Sequence, residues 1–213
     1  MKLKSIKYQS LFIIVLVLCV SCRNNRDQKV NQGEIGFRSI FNGKDLEGWR
    51  GDPTYWRVEN GILTGEVIPE TILKRNSFII YEKEQPENFE LKLEYRITNS
   101  GNSGINYRSE IIKNVPFALR GYQCDIDGKN KYTGQNYEEK KRTTLAYMGE
   151  VVTIPKMPDS ILKSNLRKNV KKNCWQTRTI TDIKTKSQLK SNIISNDWNE
   201  VHLKVKDNKM QHY

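Results

Sequence analysis

Two segments in the middle of the chain carry polar side chains at alternate positions, the spacing that places side chains on one side of a β-strand. The residues that share a side are Asn106, Arg108 and Glu110 in the first segment and Gln123, Asp125 and Asp127 in the second. If the two strands pair, one surface holds three carboxylates, a guanidinium and two amides. Close carboxylates raise one another's pKa and a guanidinium lowers it, so such a surface can hold both an acid and a base near neutral pH. An ordinary solvated sheet face with ion pairs is the alternative interpretation.

The segment directly after the second strand favours a sugar as the ligand. Residues 132–139 read Tyr-Thr-Gly-Gln-Asn-Tyr-Glu-Glu and combine two tyrosines, two amides and two acids around one glycine. Aromatic rings stack on the C–H faces of sugars, while carboxylates and amides bind the hydroxyls. We therefore expect a carbohydrate site beside the polar strands.

The elements that must position these residues are strands, because period-two alternation is common along the chain and helical periodicity is scarce. In residues 89–97, apolar or aromatic side chains alternate with charged ones, which predicts a strand with one buried and one solvated face. Residues 201–206 repeat this pattern, and Asn-Gly, Ser-Gly and Asp-Gly turn signals separate the segments. We expect an all-β domain, a β-sandwich or jelly roll, with peripheral helical turns near residues 158–167 and 187–195.

The first 22 residues are typical of an export signal. Three lysines precede an apolar run from Leu11 to Val20, and a serine follows the run. Cys22 comes next, as in a bacterial lipobox, so we expect it to be acylated and to become the mature N-terminus; cleavage of an ordinary secretory signal nearby is the alternative. Residues 23–36 are polar and have no apolar periodicity, which predicts a flexible tether and leaves residues 37–213 as the folded domain. These features predict a lipid-anchored protein of the cell envelope, periplasmic or on the outer-membrane surface.

The composition excludes several classes of protein. With 37% apolar and 28% charged residues, the 213-residue chain fits one domain with a proper core, and it has no apolar run long enough to span a membrane. The formal charge of +12 is concentrated in residues 156–190, where ten lysines and arginines oppose two aspartates. One aromatic residue accompanies these charges, so a solvated loop is favoured over a nucleic-acid-binding surface. Cys124 and Cys174 are expected to be small core residues rather than a disulfide or a metal motif.

Several short motifs, in order along the chain, together carry a family resemblance. They are Ile40–Trp49 (IFNGKDLEGW), Trp56–Gly65 (WRVENGILTG), the alternating strand from Phe89, Gly101–Ile105 with Arg108, Gly121–Gln123 with Asp125 and Tyr137, and Trp198-Asn199. This set resembles the 3-keto-disaccharide hydrolase domain family, over residues 37–213. The resemblance implies a concanavalin-like jelly roll, secretion or lipoprotein anchoring in bacteria, and action on glycosides previously oxidised at C3.

Such a substrate gives the polar residues a chemical role. A ketone at C3 acidifies the hydrogen on C2, so a base can remove it, the C1 oxygen can leave by elimination, and water can add afterwards. Direct displacement with paired carboxylates is the other route, and the sequence leaves both open.

The resemblance also implies roles for individual residues. The implied roles are base and acid for Glu110 and Asp125, binding of the enolate or of a substrate carboxylate for Arg108 or Arg142, and hydroxyl binding for Gln123, Asp127, Tyr137 and Glu138. His212 stands where family members tend to carry a histidine before an Asn-Gly turn, and is expected to be a base or a metal ligand.

No cofactor is expected. Glu110, Asp125 and Asp127 offer the oxygen ligands that calcium prefers, but their spacing matches no known calcium loop. The chain stops where a hairpin would continue, so we expect the domain to lack its last strands. A non-catalytic carbohydrate-binding jelly-roll module is the alternative to a hydrolase or lyase, because the same polar surface would serve both.

Overall fold

The computed structural model describes residues 36–156, 160 and 178–213. The expected export signal with Cys22, almost all of the expected tether, Cys174 and most of the basic segment lie outside the described residues, as does most of the helical turn expected at 158–167. No helix in the described part of the chain is both long and apolar enough to cross a bilayer.

Strands dominate the described residues, as the alternation predicted. In chain order they are β1 (Trp49–Arg50), β2 (Trp56–Glu59), β3 (Ile62–Gly65), β4 (Ile80–Tyr81), β5 (Phe89–Tyr95), β6 (Asn102–Ile111), β7 (Leu119–Asp127), β8 (Asn136–Glu139), β9 (Thr143–Ala146), β10 (Glu150–Thr153), β11 (Thr179–Asp182), β12 (Asn199–Lys206) and β13 (Lys209–His212). Short helical elements lie at Pro69–Thr71, a 3-10 turn, and at Lys186–Lys190, the helix α1. The helix α1 overlaps the helical turn expected at 187–195.

Two antiparallel sheets contain the longest strands. One has the order β6-β7-β8-β9 and the other the order β13-β12-β5. Two-stranded ribbons formed by β1 and β4, β2 and β3, and β10 and β11 accompany them.

The apolar sides of the two larger sheets pack against each other. Leu91 in β5 pairs with Leu203 in β12, so both side chains point to the same side of their sheet. The buried cluster comprises Tyr107 and Cys124 from the four-stranded sheet and Val201, Leu203 and Val205 from the three-stranded sheet. This sheet-on-sheet arrangement confirms the expected all-β sandwich of jelly-roll type.

Cys124 belongs to this core, as predicted. Its thiol is free and buried, and burial raises its pKa to about 12. A thiol with such a pKa stays protonated at neutral pH and acts as a small apolar side chain.

A β-bulge interrupts β6 where the polar alternation was expected to continue. The pairing with β7 is regular as far as Tyr107, after which Arg108 and Ser109 together oppose Gly121. Arg108 has a left-handed φ of 45°, and a Cβ atom at Gly121 would lie 2.3 Å from Ser109 Oγ. Glycine is therefore required opposite the bulge. Because the bulge shifts the phase of β6, Glu110 lies on the other side of the sheet from the predicted one.

Candidate active site on the polar face of the four-stranded sheet

One side of the four-stranded sheet points away from the core and carries polar side chains. Residues paired across antiparallel strands point to the same side, and the register of β6, β7 and β8 therefore defines the members of this surface. They are Gly104, Asn106, Gly121, Gln123, Asp125, Tyr137 and Glu139, together with Gln135, which lies opposite Asp125 just before β8. We refer to this surface as the polar face. The sequence predicted this side for Asn106, Gln123 and Asp125, whereas Tyr137, expected in a loop after the second polar strand, lies in β8.

Asp125 is the central group of the polar face. Asp125 is 8% exposed. One of its carboxylate oxygens accepts a hydrogen bond from the side-chain amide of Gln123, and the other accepts one from the side-chain amide of Gln135. The Thr144 hydroxyl in turn donates to the Gln135 amide oxygen at 3.3 Å, which orients this amide. Burial raises the pKa of the Asp125 carboxyl; the two amides oppose the rise, and the nearby charge of Glu139 adds to it. Asp125 is thus a restrained carboxyl suited to proton transfer.

Gly104 provides the space for one of these amides. It pairs with Asp125 across the strands, and a Cβ atom at this position would lie 2.7 Å from Cγ of Gln123. The Gln123 side chain therefore occupies the place of the missing side chain on β6. The hydrogen bond between Gln123 and Asp125 therefore requires a glycine at position 104. The reason is the space that this side chain needs, and not a turn conformation.

From the sequence, Gln135 and Glu139 had no individual role, although both belong to the segment 132–139 that predicted a carbohydrate site. Glu139 is buried on the polar face opposite Gly121, with Lys140 Nζ 3.5 Å from its Oε1 atom. Continuing the alternation of β8 from Tyr137 would have found both residues, because positions 135, 137 and 139 share one side of a strand.

Glu138, which the resemblance placed among the hydroxyl-binding residues, points to the opposite side. It pairs with Tyr122, and its buried carboxylate forms a salt bridge with Arg142, in which Arg142 Nη2 lies 3.0 Å from Glu138 Oε1. The same guanidinium donates to the Tyr122 hydroxyl at 3.2 Å. Burial by itself would lower the pKa of Arg142, but the hydrogen bonds and charge of Glu138 raise it. The structure does not bring Glu138 and Arg142 to Asp125.

Arg108 does not reach the polar face either. Its Nε atom donates to the Glu87 carbonyl at 2.8 Å, and its Nη2 atom donates to Asn88 Oδ1 at 3.0 Å. Its Nη1 atom donates to the carbonyl of Asp207, in the turn between β12 and β13. The guanidinium therefore ties the bulge of β6 to the turns of the three-stranded sheet.

Glu110 and Asp127 are engaged elsewhere. Glu110 is exposed and forms ion pairs with Arg120, at 2.8 Å, and with Lys141, at 3.6 Å. Hydrogen bonding by Arg120 lowers its pKa. The Asp127 carboxylate accepts the backbone N–H groups of residues 129, 131 and 132 at 2.8–3.2 Å, which closes the loop after β7. Burial favours a higher pKa for Asp127, but these hydrogen bonds outweigh it and lower the pKa.

His212 lies on the inner side of the sandwich. It pairs with the fully buried Leu203, and its ring meets the Tyr107 ring edge-on with 5.8 Å between the centroids. The residue as a whole is partly exposed, but protein atoms enclose the imidazole on most sides, and this burial lowers its pKa to about 4. At neutral pH the ring is uncharged and separated from the polar face by the sheet.

The three carboxylates considered for calcium do not converge. Asp125, Asp127 and Glu110 bind amides, backbone N–H groups and cations respectively. Within residues 36–156, 160 and 178–213 no group of three or more histidine, cysteine, aspartate or glutamate side chains is placed to hold a metal ion.

Comparison with known proteins bears out the resemblance seen in the motifs. A family model described as 3-keto-alpha-glucoside-1,2-lyase-like domain matches residues 36–213. The chain belongs to this family. A curated 3-keto-disaccharide hydrolase from Bacteroides thetaiotaomicron is 33% identical over 82 residues, which are 35% of this chain and 28% of that relative. The aligned part thus spans little more than a quarter of the curated relative.

Proposed function

We propose that this chain cleaves the glycosidic bond of glycosides oxidised at C3, and that the polar face binds the substrate with Asp125 as the proton-transferring group. Membership of the family supports the substrate class. The arrangement around Asp125 carries the proposal, because a buried carboxyl with a raised pKa, aligned by two amides, has the properties of a general acid–base residue.

The chemistry requires one proton to move twice. The Asp125 carboxylate takes the proton from C2 of the sugar, and the electron pair of that C–H bond forms a C2–C3 double bond as the C3 ketone becomes an enolate. The enolate then re-forms the C3 ketone and expels the C1 oxygen, which takes the same proton back from the newly formed carboxylic acid of Asp125. The product of this step has a double bond between C1 and C2, and addition of water at C1 completes a net hydrolysis. Release without water addition is a lyase reaction, and both outcomes use the same residues.

The test is sugar release from a 3-keto-disaccharide by the purified chain and two variants. Asp125→Asn removes the acid–base group and is expected to lower kcat/KM by about 100-fold or more. Glu110→Gln is the matched control: it removes an exposed carboxylate on the other side of the sheet and should keep activity within a few-fold. Circular dichroism and the melting temperature check that both variants fold. Full activity of Asp125→Asn, or no release by the unchanged chain, would overturn the proposal.

A sugar-binding module without catalysis is the second candidate. The observation in its favour is that both oxygens of Asp125 already accept hydrogen bonds from amides, which suits a fixed acceptor for sugar hydroxyls. Calorimetric binding of the 3-keto-disaccharide without release of free sugar would support this candidate over the enzyme.

We also propose that the protein is a lipoprotein of the cell envelope, anchored through Cys22. The support is the basic start, the apolar run and the serine that precede this cysteine. Metabolic labelling with radioactive palmitate in a bacterial host should mark the unchanged protein and not Cys22→Ser. Equal labelling of both would contradict the anchor.

A further inference from the structure

The imidazole of His212 has a protein partner at each nitrogen. Nε2 lies 2.9 Å from the Tyr107 hydroxyl, and Nδ1 lies 3.2 Å from the carbonyl oxygen of Gly134. Asn136 Nδ2 donates to the same Tyr107 hydroxyl at 3.2 Å. These groups form one chain of hydrogen bonds between the two sheets, from β8 through β6 to β13.

The partners determine where the hydrogens of this chain lie. A backbone carbonyl only accepts, so Nδ1 of His212 must carry the proton and donate to Gly134. The neutral ring then has its lone pair on Nε2, which accepts from the Tyr107 hydroxyl. The oxygen of Tyr107 accepts from Asn136 in turn. The lone pair that a catalytic base would use is therefore already occupied, on the side of the sheet away from the polar face.

The far end of the chain reaches the backbone that holds Asp125. The Gly134 N–H donates to the Asp125 carbonyl at 2.9 Å, and the Asp125 N–H donates to the Gln135 carbonyl at 3.2 Å. Gly134 adopts a left-handed φ of 80°, which glycine tolerates without strain. Fixing its carbonyl with His212 therefore fixes the peptide that leads directly into Gln135, whose side chain donates to Asp125.

We propose that His212 is a positioning residue: its neutral ring, held by Tyr107, anchors the Gly134 peptide and thereby keeps the Gln135 amide on the Asp125 carboxylate. The catalytic importance of Asp125 rests on the proposed function. The hydrogen bonds that link His212 to Asp125 do not depend on it. It replaces the role of base or metal ligand that the resemblance implied for His212. The histidine acts through the sheet, from the core side, on a group of the opposite face.

Two substitutions of His212 test the contacts of its two ring nitrogens separately. In His212→Asn the side-chain amide lies near the place of Nδ1 and keeps a donor for the Gly134 carbonyl. In His212→Gln the amide extends to the place of Nε2, so the contact with Tyr107 is kept and the one with Gly134 is lost. A third variant, Tyr107→Phe, removes the hydroxyl while leaving Nδ1 in place.

The decisive readout is the titration of Asp125, followed by carbon-13 NMR of its carboxyl in the protein without substrate. The amide of Gln135 lowers the pKa of Asp125, against burial and the charges of Glu139 and Asp127, which raise it. Loss of the amide contact must therefore move the titration to higher pH. We expect this upward shift in His212→Gln and a titration close to the unchanged protein in His212→Asn. A merely structural role would lower the melting temperature of both without moving Asp125.

Activity provides the second readout. Displacement of the Gln135 amide is expected to lower kcat by about 100-fold in His212→Gln, with a smaller loss in His212→Asn and Tyr107→Phe. Equal inactivation of His212→Asn and His212→Gln with an unmoved Asp125 titration would overturn the proposal. Failure of the proposed function would look different: the unchanged chain would be inactive, while the shift of the Asp125 titration in His212→Gln would persist.

Discussion

Acidification is expected to destabilise the folded chain through His212. Enclosure of the ring lowers its pKa from 6.5 to about 4, whereas the unfolded chain exposes the ring to water. Between these two pKa values the unfolded state binds more protons than the folded state. The contribution of the neutral ring to stability is therefore complete above pH 6.5, and it is lost as the pH falls towards 4.

The size of this effect follows from the difference between the two pKa values. Each pKa unit corresponds to about 1.4 kcal/mol of free energy, so the loss approaches about 3 kcal/mol near the folded pKa. A domain of this kind has a free energy of unfolding of roughly 5–15 kcal/mol. One histidine thus accounts for a sizeable part of the acid sensitivity.

Urea denaturation followed by tryptophan fluorescence, at several pH values from about 7 down to 4, measures the effect. The comparison is between the unchanged protein and His212→Asn, which keeps a donor toward the Gly134 carbonyl but does not titrate. Asp125 and the other carboxylates titrate in both proteins, so their contributions cancel in the difference. We expect the unchanged protein to lose about 3 kcal/mol more than the variant over this range.

An identical pH dependence of the two proteins would refute the reasoning. It would mean that the folded state protonates His212 as easily as the unfolded state does, and hence that the ring is not held neutral between Tyr107 and Gly134. Direct titration of the His212 ring protons by NMR would then give a pKa near that of a free histidine.

Three further predictions concern packing and charge. Gly104→Ala puts a Cβ atom 2.7 Å from Cγ of Gln123, so it should displace this amide and lower substrate turnover while the fold persists, as measured by kcat and circular dichroism. Gly128→Ala puts a Cβ atom 1.9 Å from a backbone carbonyl oxygen of the β5–β6 turn, which has no room to yield, so thermal melting should show a loss of about 1–3 kcal/mol or more. Glu138→Gln leaves the Arg142 guanidinium buried without its counter-charge, and urea denaturation should show a loss of about 3–5 kcal/mol. A loss below about 1 kcal/mol would show instead that water reaches that guanidinium.

The alternation of side chains was sufficient to predict the fold class and the strand at the centre of the site. In residues 89–95 and 201–206 the apolar positions predicted from the sequence are those that face the core. In β7 the same rule placed Gln123 and Asp125 on one side and Cys124 on the other, as observed. These predictions succeed because the direction of a side chain in an unbroken strand depends only on the parity of its position.

The composition of the site beyond β7 depended on the tertiary structure. The bulge opposite Gly121 reversed the side of Glu110, and strand pairing brought Glu139 rather than Glu138 to the polar face. The burial of His212 against Tyr107 arises from a contact between residues 105 positions apart. Whether a strand position is odd or even is a local property that the sequence determines by itself. The shift of side-chain direction at a bulge and the contacts of the His212 ring depend on which strands pack together, and only the folded chain decides this packing.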